Sequence, residues 1–142
     1  MDTSVIGGCL DEEFRVSSVR LIEGSRAGES LLVISDSTLA ELAGAPPKVR
    51  AVIEDLPRTC LELVHQVEES EAVAEEYIRQ EVLSPRMPAD AQHIAVATIA
   101  RVDVLVSWDF RHIVNLGRIH GFNAVNLRSG YAMLEIRSPL EI

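Results

Sequence analysis

Short apolar runs alternate with stretches of helical spacing along the chain, and that alternation predicts its elements. LLVIS at 31–35 and VDVLVS at 102–107 are dominated by aliphatic, largely β-branched residues, the composition of strands buried on both faces. CLELV at 60–64 is a weaker strand, and AMLEI at 132–136, stopped by Arg137, Ser138 and Pro139, reads as an edge strand. Helices are predicted over 11–26, with Phe14, Val19 and Ile22 as the apolar stripe, and over 37–44, opening on a capping Asp36 or Ser37. Another follows Pro46 and Pro47 over 47–56, where Val49, Val52, Ile53 and Leu56 share a face, and one more spans 68–82. A further helix begins at Asp90 as N-cap, with Ile94, Ala95, Thr98 and Ile99 at helical spacing. RHIVNLGRIHG suggests a last one, which Asp109 could cap. Strand and helix in this order predict an α/β chain with a mainly parallel sheet covered by helices on both faces.

Length and composition then narrow the picture. The 142 residues, 47% of them hydrophobic, fit a single domain spanning the whole chain, with no internal repeat or low-complexity linker. No apolar run approaches the roughly 18 residues a membrane span requires, and MDTSVIGGCL lacks the basic start of a secretory signal, so a cytoplasmic protein with no membrane partner is expected. Cys9 and Cys60 lie far apart with no CxxC spacing, which reads as two buried thiols. The net charge of −9 argues against a protein that grips nucleic acid by general attraction to phosphate. Much of the excess, Glu68, Glu69, Glu71, Glu75 and Glu76, reads as the wet face of the 68–82 helix.

Four other acids fall where strands give way to loops or helices: Asp2, Glu41, Asp90 and Asp109. Ligands of open α/β sheets bind beyond the carboxyl ends of the strands. Carboxylates gathered there repel, and a divalent cation with oxygen ligands relieves the repulsion. Without HExxH, a cysteine pair or paired histidines, and with His65, His93, His112 and His120 scattered, Mg²⁺ or Mn²⁺ is expected over zinc. Taken singly, each acid also has a plain structural reading: Asp90 and Asp109 as caps, Glu41 on a solvated helix face, Asp2 near a chain end.

Taken together, DTSVIGG at 2–8, STLAELAGAP at 37–46, DAQHIAVAT at 90–98 and LVSWDFRHIVN at 105–115 resemble the PIN-domain family of ribonucleases. The likeness extends over nearly the whole chain and is nearest to the VapC-type toxin branch, which the tail NAVNLRSGYAMLEIRSP also resembles. The resemblance implies a three-layer α/β/α sandwich around a parallel sheet and a metal-dependent site that cuts RNA. It places Asp2, Glu41, Asp90 and Asp109 as the four catalytic, metal-holding acids, with Ser107 in support and Thr3 and Ser4 as further helpers. One feature departs from the family: only Met1 precedes Asp2, where several apolar residues would form the central strand.

In this reading the acids hold one or two Mg²⁺ or Mn²⁺ ions for in-line attack of water on a phosphodiester. Arg111, Lys48 and Arg50 are candidates to hold RNA, while Trp108 is expected to pack against the sheet rather than stack on a base. His93 and His112 are expected to support the site or sit in the core rather than act as general bases. The resemblance further implies a homodimer and an antitoxin partner. An alternative function is a PIN-like binding module of little or no activity, acting through complex formation, which the shortened first strand and acidic surface favour. A small-molecule domain lacks the glycine-rich phosphate loop it would need.

Overall fold

No strand exceeds four residues, so helices must cover most of the apolar surface. The computed structural model describes residues 1–142. Its elements run α1 (Thr3–Gly8), α2 (Arg15–Arg26), β1 (Leu32–Ser35), α3 (Asp36–Ala43), α4 (Pro47–Glu54), a 3-10 turn (Arg58–Cys60), β2 (Leu61–Val64), α5 (Glu68–Arg79), α6 (Pro88–Ile99), β3 (Leu105–Val106), α7 (Leu116–Arg128) and β4 (Ile136–Arg137). The chain is therefore mixed α/β. β1 pairs with β2 and β3 with β4, both parallel, and helices make the crossovers that parallel pairing requires. No helix is long and apolar enough to cross a membrane.

The core is divided in the same way. Tyr77, Ile94, Ile113, Phe122 and Ile136 pack together on the β3–β4 side, and Ile6, Ile22, Leu32, Ile34 and Ile53 on the β1–β2 side. A small third cluster of Val5, Val106 and Trp108 shares Met1 and Leu21 with the β1–β2 side. Inside the larger half, the Tyr77 hydroxyl donates to Asn126 Oδ1 at 2.5 Å and lies 3.3 Å from Thr98 Oγ1. Burial pushes the Tyr77 phenol up to about 12, so it stays a neutral donor. Both cysteines are buried and free, as expected.

The parallel pairing follows the sequence pattern, but it forms two separate two-stranded units rather than one sheet. Between them sit the first two residues: the Met1 nitrogen donates to Val33 O at 2.8 Å and the Asp2 N–H to Val106 O at 3.3 Å. The strand expected over 102–107 shrinks to Leu105 and Val106, because Val102 belongs to the turn that ends α6, its N–H donating to Ala97 O at 3.3 Å after Arg101 at φ 53°, and Val104 has no backbone partner. β4 begins at Ile136 instead of 132 for a related reason. Asn123 of α7 takes both backbone groups of Leu134, accepting from its N–H at 2.7 Å and donating to its carbonyl at 3.1 Å.

Several helix boundaries also move. TSVIGG forms a helix the apolar spacing did not predict, with Val5 and Ile6 fully buried, and the helix expected from residue 11 starts at Arg15. Ser35, not Asp36 or Ser37, caps α3 by accepting from the Thr38 N–H at 3.3 Å. α6 opens on Pro88, a residue suited to the first helical position, which leaves Asp90 in the first turn rather than at the cap. α7 starts only at Leu116, capped by Asn115.

α1 approaches its neighbours closely at Gly8. A Cβ there would lie 2.5 Å from Ser18 Oγ and 2.8 Å from Trp108 Nε1, two atoms joined to each other by a 2.8 Å hydrogen bond. Gly8→Ala is expected to destabilise the protein by about 1–3 kcal/mol through overpacking. Gly7→Ala, where no atom lies within 4 Å of the added methyl, provides the control. Urea midpoints check the pair; equal midpoints would remove the close-approach argument.

Candidate metal centre

The first turns after β3 and the amino terminus of α6 place the central acids. Asp109 Oδ1 accepts from the backbone N–H groups of Arg111 at 2.9 Å and His112 at 2.8 Å, which closes a tight turn after β3. The same turn folds the His112 ring back, so that Nδ1 lies 3.0 Å from Asp109 Oδ2 and 3.4 Å from Asp90 Oδ2. One ligand atom from each of Asp90, Asp109 and His112 lies within 4.8 Å of the others. His112 Nε2 is buried with no hydrogen-bond partner.

Asp2 joins this group through hydroxyls. Ser107 Oγ donates to Asp2 Oδ2 at 2.6 Å and accepts from the Asp109 N–H at 2.9 Å. Ser4 Oγ donates to Asp2 Oδ1 at 2.6 Å and accepts from the Trp108 N–H at 2.9 Å. Both carboxylate oxygens of a buried acid are thereby bonded, as burial of a charge demands. Glu41 reaches the group from α3: Thr3 Oγ1 donates to Glu41 Oε2, and His93 Nε2 lies 3.0 Å from Glu41 Oε1.

Asp2, Asp90 and Asp109 are thus linked through Ser107 and His112, with Ser4 also on Asp2, whereas Glu41 bonds only Thr3 and His93, which respectively adjoin Asp2 in sequence and share α6 with Asp90. The candidate RNA-binding cations do not gather with them. Arg111 is exposed beside Asp109, but Lys48 borders a surface hollow with Arg15, Glu23, Arg26 and Asp55. Arg50 donates to Ala45 O at 2.8 Å and lies 3.9 Å from Glu54. Trp108 is buried, with its ring 4.5 Å from that of Phe14, so it offers no open face for a base.

The sequence leaves His93 and His112 either supporting the site or in the core, and the structure puts His112 beside both central acids and His93 beside Glu41. A signal existed: each central acid is followed three residues later by histidine, in DAQH at 90–93 and DFRH at 109–112. On a helix that spacing puts both side chains on one face, and in a tight turn it folds the second back onto the first. Two carboxylates and an imidazole nitrogen make a donor set that fits Mn²⁺ as well as Mg²⁺, since imidazole broadens the choice beyond purely hard ions.

The Asp90 carboxyl is held above its ordinary range, first by burial and then by the nearby Asp109 charge, while His112 and His93 oppose the shift and Asp2 adds to it. No protein-family model, curated protein or solved structure matched the chain, so the PIN resemblance rests on the quoted residues alone.

Because the folded pKa of Asp90 lies above its unfolded value, the fold binds the extra proton. The native state therefore loses stability as pH rises from the unfolded toward the folded pKa, and the full cost persists at neutral pH. Asp90→Asn is expected to raise Tm at pH 7 without added metal, with the gain vanishing below the ordinary Asp range, about pH 3.9. Thermal melts across that interval check the sign; a Tm gain independent of pH would refute the electrostatic cause. Ser107→Ala, which strips a partner from both Asp2 and the Asp109 N–H, is expected to cost about 1–3 kcal/mol in urea unfolding.

Proposed function

We propose that this chain is a PIN-like, metal-dependent endoribonuclease, and that Asp90, Asp109 and His112 hold its cation with Asp2 and Glu41 alongside. The observation that supports the reading is the approach of one ligand atom each from Asp90, Asp109 and His112 to within 4.8 Å of one another, with buried Asp2 tied to Asp109 through Ser107, past the end of β3. That is where ligands of parallel α/β folds bind. The finer architecture belongs to the same proposal. Met1 and Asp2, bonded to β1 on one side and β3 on the other, support an order β2, β1, amino terminus, β3, β4 that would make one parallel sheet at the centre of a three-layer sandwich.

A divalent cation bound there supplies Lewis acidity, lowering the pKa of an attacking water and offsetting charge on the phosphate. The protein's own groups set the geometry. Ser4 and Ser107 fix the two oxygens of Asp2, and Ser107 also ties Asp2 to the Asp109 backbone. His112 presents one ring nitrogen to the two acids, while its Nε2 is buried without a hydrogen-bond partner. Arg111, exposed next to Asp109, is the cation nearest in sequence to the turn and the one suited to contact a phosphate.

A second reading, a binding module without turnover, is favoured by the dispersal of Lys48 and Arg50, which leaves the acidic surface without a basic track for RNA. Labelled RNA incubated with the protein in Mg²⁺, Mn²⁺ or EDTA separates the two. The nuclease reading expects metal-dependent cleavage that falls by about two orders of magnitude or more in both Asp90→Asn and Asp109→Asn. Intact RNA at high protein concentration, with Mn²⁺ binding still seen by calorimetry, would replace it with the binding module.

A further inference from the structure

The chain has three phenylalanines, two tyrosines and one tryptophan, and of these Phe110 alone is exposed, at 49%. Phe14 and Tyr131 are half-buried and the others buried. A single apolar side chain in water is ordinary. The setting of this one is not, because Phe110 stands in the turn that fixes Asp109, between that acid and the exposed Arg111.

The turn holds the ring in place. The Phe110 N–H donates to Trp108 O at 2.9 Å, and the N–H groups of Ile113 and Val114 both donate to Asp109 O, at 3.1 and 2.7 Å. Ile113 anchors the turn in the core. Behind Phe110 the Trp108 ring lies at 6.1 Å, and the Phe14 ring lies 4.5 Å from that of Trp108. A ring already ordered loses little freedom when a flat partner settles on it. Trp108 itself cannot receive one, since it is buried against Phe14.

Charge elsewhere offers little hold on a polyanion. The net charge is −9, Arg50 is occupied with Ala45 O and Glu54, and Lys48 shares its hollow with Glu23 and Asp55. Stacking needs no charge, and every base has a face that can stack. We propose that the exposed Phe110 ring is a stacking platform for one unpaired base of the RNA, with Arg111 on a neighbouring phosphate. The proposal rests on the nuclease reading for the identity of the polymer and adds what grips it. Successive Cα atoms are about 3.8 Å apart, so ring, cation and the Asp109 carboxylate fall within the span of a nucleotide or two. A base inside a duplex is covered on both faces and has none to give Phe110, so Phe110 also selects against paired RNA.

Fluorescence anisotropy of a short fluorescein-labelled RNA in EDTA reads binding without turnover. The forms compared are the native chain, Phe110→Leu, which stays apolar but loses the aromatic face, and Phe110→Tyr, which keeps it. The single strand is expected to bind Phe110→Leu about tenfold more weakly and Phe110→Tyr as tightly as the native chain. RNA annealed to its complement, and a sugar–phosphate strand without bases, are expected to bind all three forms equally weakly. The native affinity for the single strand is expected to fall with salt at a slope of about −0.7 in log K against log concentration, the value for one phosphate contact. Full binding by Phe110→Leu, tight binding of the duplex or the baseless strand, no binding by any form, or a slope of several contacts would overturn the proposal. So would loss of a dimer by Phe110→Leu in size-exclusion chromatography, which assigns the ring to a contact between copies. Cleavage in Mn²⁺, followed separately, keeps the two ideas apart. Cleavage unaffected in Phe110→Leu removes the platform and leaves the nuclease, whereas Phe110-dependent binding with no cleavage leaves the platform and removes the nuclease.

Discussion

A hydrogen bond from the Ser107 hydroxyl to Asp2 spans most of the length of the chain, and the site depends on it. Asp2 is buried, and a buried carboxylate persists only where its oxygens are given donors. Ser107 gives one and Ser4 the other, while the Asp2 N–H reaches Val106 O. The first two residues therefore bridge two strand pairs that are also joined by the Trp108–Ser18 and His93–Glu41 contacts. The Ser107 hydroxyl also receives the Asp109 N–H, so the position of one acid is transmitted to another through a single oxygen.

The arrangement sets stability against chemistry. Asp90 and Asp109 lie close enough for each charge to disfavour the other, and the histidine folded between them offsets only part of that repulsion. Structural ion pairs also perturb titration, but they do so with opposite charges in contact, whereas here the neighbours of Asp90 include two further acids.

Periodicity exposed the parts whose local chemistry agrees with the fold. β1, β2, α4 and α5 lie within a residue or a few of where spacing places them, because their apolar faces are the faces they bury. The parts that escaped it depend on partners distant in sequence. β3 is short because the turn that ends α6 takes the Val102 N–H, and β4 starts late because the Asn123 side chain takes the backbone of Leu134. α1 escaped because six residues are too few to show a stripe, and its formation rests on burying Val5 and Ile6. At the site, the acids could be found as carboxylates at element ends. The part played by His93 and His112 needed the acid-to-histidine spacing to be read as geometry, and the separation of Lys48 and Arg50 from the acids needed the folded chain.

Trp108 is the only tryptophan in the protein, and its surroundings connect it to the acids. Its indole N–H is bonded to Ser18, its ring rests against Phe14, and its backbone N–H is bonded to the hydroxyl that also holds Asp2. A displacement of Asp2 would act on Trp108 through Ser4, the hydroxyl that holds both. The molecule thus carries a built-in fluorophore whose emission reports on the acidic network, with no second tryptophan to blur the signal.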